Sequence, residues 1–228
     1  MEYILFNKAG VSLKGNVSGF LVWVIIPEKH MSVILKPEIP PEEVQLITLA
    51  ASTAVVSAIK DATGIEAGIK WPNDIILGGR KVCGILTEMS SEMERVNFVV
   101  LGIGINFSQG LSDFPEELRQ KAVSIKEYLK GSNIKLCKKS ELAKHVMVEM
   151  DMVYKLMLEG RKEEITALWK KMSVTIGRDV SVSGKDVAYA GKAVDITADG
   201  RLVVLCDNGI LKEIISGEIS VRGLMGYI

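Results

Sequence analysis

The sequence predicts an α+β protein: a mixed or antiparallel sheet backed by helices, followed by a small β-barrel at the carboxyl end. Three observations predict it. Asp74 to Leu77 and Val82 to Leu86 are apolar runs of strand length, joined by Gly78-Gly79, a pair that tolerates the positive φ angles of tight hairpins. Beyond Pro40-Pro41, apolar residues recur at helical spacing until Gly64. After Gly177 the texture changes to short alternating strands, with turn pairs at Ser183-Gly184, Asp199-Gly200 and Asn208-Gly209.

The first strand of this reading is Met31 to Leu35. Pro40-Pro41-Glu42-Glu43 is a helix start with acids in its first turn, and apolar residues at 46, 47, 50, 54 and 58 carry one face of that helix. Ala67 to Lys70, Asp74 to Leu77, Val82 to Glu88 and Asn97 to Ile105 are the next strands, with the polar segment Ser90 to Glu94 expected to turn the chain between the last two. Ser124-Ile125-Lys126-Glu127 has capping-box spacing, and Gly131 closes the short helix it opens. Ser140 starts a helix whose Leu142, Val146, Met150, Val153 and Met157 share a face before Gly160, a methionine-rich stripe expected in the core. Residues 161–172 are amphipathic around Ile165, Leu168 and Trp169, a third helix after the short capped one and the one that Ser140 starts. The division expected is a larger domain over 1–176 and a small one over 177–228.

Bulk properties narrow the function classes. At 228 residues the chain can bury a continuous core. Lys plus Arg equals Asp plus Glu at 28 each, so no overall basic field argues for nucleic acid as a partner, and phosphate chemistry must be local. The longest uninterrupted apolar stretch, Phe20 to Ile26, falls far short of the roughly 20 residues of a membrane span. A soluble cytoplasmic protein without a membrane partner is the expectation. Cys83, Cys137 and Cys206 are odd in number and widely spaced, which fits reduced thiols packed as small apolar groups rather than metal ligands. His30 and His145, the two histidines, have no partner pattern for a metal or a catalytic triad.

The chemistry concentrates at the start of the central hairpin. Lys70, Trp71, Asn73 and Asp74 sit at its open end, and Pro72 fixes one φ angle so that their side chains project from a stiff corner suited to anion capture. Trp71 reads equally as a ligand wall or as core. Asp74 can cap the corner by bonding local amides.

Lys70-Trp71-Pro72-Asn73-Asp74, followed by Arg80-Lys81-x-x-Gly84-Ile85-Leu86-x-Glu88, resembles the central signature of biotin protein ligases. The likeness continues through Gly102-Ile103-Gly104-Ile105-Asn106 and covers roughly residues 30 to 228. The resemblance implies the biotin/lipoate ligase fold, similar to class II synthetases, with an SH3-like carboxyl-terminal domain ending in Ser216-Gly217-Glu218-Ile219-Ser220-Val221-Arg222. It implies ATP-dependent attachment of biotin, through biotinyl-5′-AMP, to a lysine of a biotin carboxyl carrier protein, with biotin and ATP as substrates and Mg2+ accompanying the nucleotide. On this resemblance Lys70 is the catalytic cation against the biotin carboxylate and α-phosphate. Lys81 lies along the adenylate, Gly84 lets the ureido ring approach the backbone, Asn106 reads adenine, Asn73 and Asp74 help hold ATP and its magnesium, and Trp71 is counted with them among the binding residues. Lipoate or octanoate attachment and a catalytically inactive carrier-binding or regulatory module stand as alternatives. A homodimer through edge strands is compatible with the pattern, and a DNA-binding repressor role is not expected.

One stretch departs from the family. Where a glycine-arginine loop is expected to fold over biotin and the adenylate, the chain reads Gly10-Val11-Ser12-Leu13-Lys14-Gly15-Asn16-Val17-Ser18-Gly19-Phe20-Leu21-Val22-Trp23, with Lys14 the only cation. Likeness fades before about residue 30, and impaired activity is the expectation. A local frameshift over residues 8–28 and true divergence are both open origins, which the gene's nucleotides distinguish.

Overall fold

The computed structural model describes the backbone of residues 11–17, 20–26, 31–92, 94–184, 188–216 and 219–223, and the side chains of 31–92, 94–184 and 188–216. Seven strands form the larger sheet: β1 (Val11–Val17), β2 (Phe20–Ile26), β3 (Met31–Leu35), β4 (Gly68–Lys70), β5 (Asp74–Leu77), β6 (Arg80–Glu92) and β7 (Arg95–Ile105). Their order is β1-β2-β3-β7-β6-β5-β4, and every neighbouring pair is antiparallel. The expected mixed or antiparallel sheet is therefore antiparallel throughout its named strands. Of the stretch 10–23, residues 11–17 and 20–23 enter it as backbone of β1 and β2; Gly10, Ser18, Gly19 and the side chains of this stretch, Lys14 included, lie outside the described residues, as does His30.

Helix α1 (Val44–Thr63) follows a 3-10 turn at Pro41–Glu43 and ends at Gly64, whose φ of +73° lets its amide return to the Lys60 carbonyl at 2.7 Å. Its span from 41 to 63 is long and apolar enough to cross a membrane, but 78% of that window is buried inside the fold. Those residues are core. Ala50, Ala51, Ala54 and Ala58 keep the helix slim enough to approach the sheet on one side and α3 (Lys139–Leu158) and α4 (Lys162–Met172) on the other. Along α3 the anticipated stripe of Leu142, Val146, Met150, Val153 and Met157 is buried, while His145 is half-exposed on its flank. The short helix α2 (Ile125–Tyr128) is capped as its spacing predicts, with the Ser124 hydroxyl accepting the Glu127 amide at 3.0 Å.

One expectation is corrected. Ser90 to Glu94 does not simply turn the chain: β6 and β7 remain paired as far as Glu92 opposite Arg95, with a bulge between Ser90 and Ser91. Ser91, Glu92 and Arg95 at its end are exposed and only Val96 is buried there, so backbone pairing with one apolar anchor carries it without a run of apolar alternation.

The carboxyl-terminal sheet holds β8 (Asp179–Gly184), β9 (Ala188–Ile196), β10 (Leu202–Cys206), β11 (Leu211–Ile214) and β12 (Ile219–Gly223), paired in the order β11-β10-β9-β8-β12. This is the small β unit expected after Gly177, and Gly200 and Gly209 take the positive φ values, +90° and +79°, that their turns require. Among the described residues β11 and β12 do not pair with each other.

The α1–α3 seam carries a pH dependence. Desolvation raises the Glu149 pKa, and Asp61 on α1 adds repulsion; His145 and the Ser57 hydroxyl pull the other way without cancelling it. A carboxyl whose folded pKa lies above its unfolded value favours folding below the ordinary carboxylate range, and that contribution fades as pH rises through the raised value. Glu149→Gln is therefore expected to be more stable than the parent at neutral pH, with the gain vanishing in acid. Thermal melts between pH 4 and pH 8 check this; a gain that grows as pH falls would contradict it.

Candidate functional site

Helices cover one face of the large sheet, and the other is uncovered among the described residues. Ile69, Ile75, Cys83, Ile85, Leu101, Ile103 and Val33 point into the core, so their neighbours along each strand point outward. The register sets four outward residues in one row across four strands: Lys70 on β4 opposite Asp74 on β5, Asp74 opposite Gly84 on β6, and Gly84 opposite Gly104 on β7. A cation and a carboxylate thus stand at one end of a glycine-floored strip. The next row, Leu86, Gly102 and Ser32, continues the floor, and Leu86 and Phe98 leave an apolar, exposed surface beyond it.

Lys81 joins this row from the side. Its ammonium forms an ion pair with the Asp74 carboxylate and lies over Gly84, where an added Cβ would come within 2.9 Å of both Lys81 Cε and Nζ. The missing side chain of Gly84 is what lets the lysine tip settle there. Asn106, at the end of β7, donates from its side-chain amide to the Lys81 carbonyl at 3.3 Å, while its own carbonyl accepts the Ile125 amide at the start of α2. The hairpin turn behind Lys81 uses positive φ at both Gly78 and Gly79, +54° and +74°, and the Tyr128 ring packs against Gly78.

Two residues of the corner are engaged with the protein itself. Trp71, read equally as wall or core, is only 2% exposed, and its indole N–H donates to the Gly200 carbonyl at 3.1 Å. Such burial favours core. Asn73, placed among the binding residues, spends its side-chain amide on the Ile85 carbonyl at 2.7 Å, and the Ile85 amide returns to the Asn73 carbonyl at 3.0 Å. It staples the corner to β6. The Trp71–Pro72 peptide is cis.

Electrostatically the strip carries two lysines and one carboxylate within a few side-chain lengths. Cys83, directly behind Gly84, faces the core, where burial pushes its thiol far above its ordinary pKa against the weaker pull of Lys81. It is an inert packing group there. Among the described residues no cluster of three or more His, Cys, Asp or Glu could hold a metal ion.

This arrangement coincides with known protein families. Residues 25–106, which contain every residue of the row together with Lys81 and Asn106, match the biotin/lipoate A/B protein ligase family, and residues 175–222 match the biotin protein ligase C-terminal domain. The chain belongs to the biotin protein ligase family. Among relatives, the bifunctional ligase/repressor BirA of Bacillus subtilis is 37% identical over 191 residues, 84% of this chain and 57% of that protein. The biotin--[acetyl-CoA-carboxylase] ligase of Mycobacterium tuberculosis is 30% identical over 171 residues, 72% of this chain and 58% of its own. The chain thus spans somewhat over half the length of these relatives. Its fold is similar to that of the Aquifex aeolicus biotin protein ligase in complex with biotin and ATP, with a TM-score of 0.71 and 26% identity over 86% of this chain and 80% of that one. The α+β fold expected from sequence, with its carboxyl-terminal β unit, is the biotin protein ligase fold.

Sequence reasoning missed two kinds of residue. Ser32, Leu86 and Gly102 complete the strip, and only the pairing register reveals them. Thr175 and Gly200 contact Trp71 across 104 and 129 residues of chain, a separation that no local pattern signals.

Proposed function

We propose that this chain joins biotin to ATP to give biotinyl-5′-AMP and pyrophosphate, then passes the biotinyl group to a lysine of a biotin carboxyl carrier protein. The observation that carries this reading is the row Lys70–Asp74–Gly84–Gly104 on the uncovered face, with Lys81 seated over Gly84. In the first step a carboxylate oxygen of biotin attacks the α-phosphorus and the bond to the bridging oxygen breaks, pyrophosphate leaving with the electron pair. Two anions must meet, so cations decide the barrier. At about 4 Å a lysine and an anion attract by about 4 kcal/mol at an effective dielectric near 20. Lys70 supplies that charge at the reacting carboxylate and phosphate, Lys81 runs along the adenylate, Gly84 and Gly104 give the ring a floor without side chains, and Asn106 reads the base. Trp71 and Asn73 hold the corner. In the second step the carrier's neutral amine attacks the acyl carbon, AMP leaves, and one proton is lost from nitrogen.

Magnesium belongs to this scheme as the counter-ion of ATP, with Asp74 the carboxylate placed to meet it once Lys81 moves aside. The catalytic part occupies residues 1–176 and the SH3-like part 177–228, and the cytoplasm is where carrier, ATP and this chain meet. Turnover is weak, because the 10–23 stretch lacks the arginines that the family's loop brings to the phosphates.

Radiolabelled biotin with MgATP and an apo-carrier tests the reading. Covalent label on the carrier, however slow, supports it; carrier bound without label supports the inactive docking module instead. Competition between biotin and lipoate separates biotin attachment from lipoate or octanoate attachment.

Gly84→Ala gives a sharper check. The atoms its Cβ would strike are the far end of the flexible Lys81 side chain, so the fold tolerates the change and melting shifts by no more than about 2 °C. Biotin affinity, by contrast, falls about tenfold or more, the ordinary penalty for a methyl group intruding on a fitted ligand. Isothermal calorimetry on both proteins reads this, and equal affinities would remove Gly84 from the ring's floor.

A further inference from the structure

We infer that Thr175 and the Gly200 turn are positioning residues for Lys70, acting through Trp71, so that the segment after α4 and the carboxyl-terminal unit together set the aim of the catalytic lysine without touching substrate. This rests on the role proposed for Lys70 in adenylation.

The need for such a device is visible in β4. It is three residues long, it lies at the edge of the sheet, and Lys70 is its last residue. Pairing with β5 secures one side. On the other side the segment after α4 docks against it: Ile69 bridges Ser173 in parallel fashion, and the Val174 amide donates to the Ile69 carbonyl at 2.9 Å. Gly68 makes that docking possible, since a Cβ there would lie 2.3 Å from Val174 Cγ1. Immediately after Lys70, the Trp71 amide donates to the Thr175 hydroxyl oxygen at 2.9 Å and the indole N–H to the Gly200 carbonyl at 3.1 Å. The residue next to the lysine is held at both ends from outside the large sheet.

The holders are themselves fixed. Ser173 Oγ accepts the amides of Thr175 and Ile176, which stiffens the docking segment, and Thr175 is 5% exposed. The Gly200 carbonyl also accepts from Gln45 Nε2 at 2.6 Å, and Gln45 Oε1 accepts the Ser216 amide at 3.2 Å, so one α1 side chain grips two points of the carboxyl-terminal unit. The Gly177 amide donates to the Ala193 carbonyl at 2.7 Å, and Lys170 on α4 pairs with Asp195 on β9 at 2.6 Å. Asn73 fixes the descending limb of the corner to β6; Thr175 and Gly200 fix the ascending limb. An error of about 1 Å in placing a catalytic group can cost about a hundredfold in rate, so a loosened limb shows itself in the chemical step.

The test uses the full chain and two substitutions at one position. Thr175→Val removes the acceptor oxygen at nearly constant volume, and Thr175→Ser restores it. Three quantities are measured: the rate of biotinyl-adenylate formation in a single turnover, the dissociation constant for biotin, and the NMR signal of 13C-dimethylated Lys70, assigned by its loss in Lys70→Arg. Thr175→Val is expected to slow adenylation about tenfold or more with biotin affinity changed less than about threefold. It should also move the Lys70 signal toward that of exposed Lys60, and Thr175→Ser should return both readings to the parent values. An unchanged Lys70 signal in Thr175→Val overturns the inference whatever the activity, and so does a loss of rate that Thr175→Ser fails to rescue. A parent chain that makes no adenylate overturns the proposed function alone, since the Lys70 signal still reports on the clamp.

Discussion

Lys70→Ala is expected to lower biotin-dependent exchange of pyrophosphate into ATP by about 10²–10³-fold, the usual cost of removing one group aimed at charge developing in a transition state. The position explains the size. Lys70 ends the row, one strand from Asp74 and close to Lys81, so its loss removes one of the two ammonium groups at this end of the strip. The fold should hardly notice, because a half-exposed side chain at a strand end contributes little, and melting should shift by no more than about 2 °C. Lys70→Arg is expected to recover only part of the rate, since a planar guanidinium on a longer stem does not place a compact charge at the same point. Exchange in Lys70→Ala at the parent rate would transfer the role to Lys81 or dismiss the scheme.

The corner was legible in sequence because its determinants are local. A Gly-Gly turn between two apolar runs fixes the β5–β6 hairpin, and both glycines adopt the positive φ that the pattern implies. Helix ends were legible for the same reason: Gly64 and Gly160 close α1 and α3, and Ser124 caps α2. What sequence could not supply is the alignment of strands distant along the chain. Lys70, Asp74 and Gly84 share a row only because β5 and β6 slip at a bulge between Ile75 and Ile76, and Gly104 joins it through β7. The same limit hid the destination of Trp71's two N–H groups. An amphipathic ring with a polar edge suits a ligand wall and a buried joint equally well, and the choice depends on an acceptor supplied by a turn in another sheet.

That choice yields the largest expected effect on stability. Trp71→Ala empties a site only 2% exposed within the main apolar cluster, a change that ordinarily costs about 3–5 kcal/mol through lost transfer energy and an unfilled cavity. For a chain of this size each kcal/mol lowers the melting temperature by about 2–4 °C, so a fall of about 6–20 °C is expected. Trp71→Phe separates packing from hydrogen bonding. It keeps most of the ring and loses the indole N–H, and the Gly200 carbonyl it abandons still accepts from Gln45, so the expected cost is about 1 kcal/mol. A wall residue and a joint residue respond differently to this substitution. If the ring lined the ligand, Trp71→Phe would weaken biotin binding with little change in melting; as a joint it should lower melting by about 2–4 °C and leave biotin affinity within about threefold. Calorimetric titration and thermal melts of the two variants, read together, decide between these outcomes, and equal melting of Trp71→Ala and Trp71→Phe would mean that the indole's hydrogen bond, not its volume, holds the corner to the carboxyl-terminal sheet.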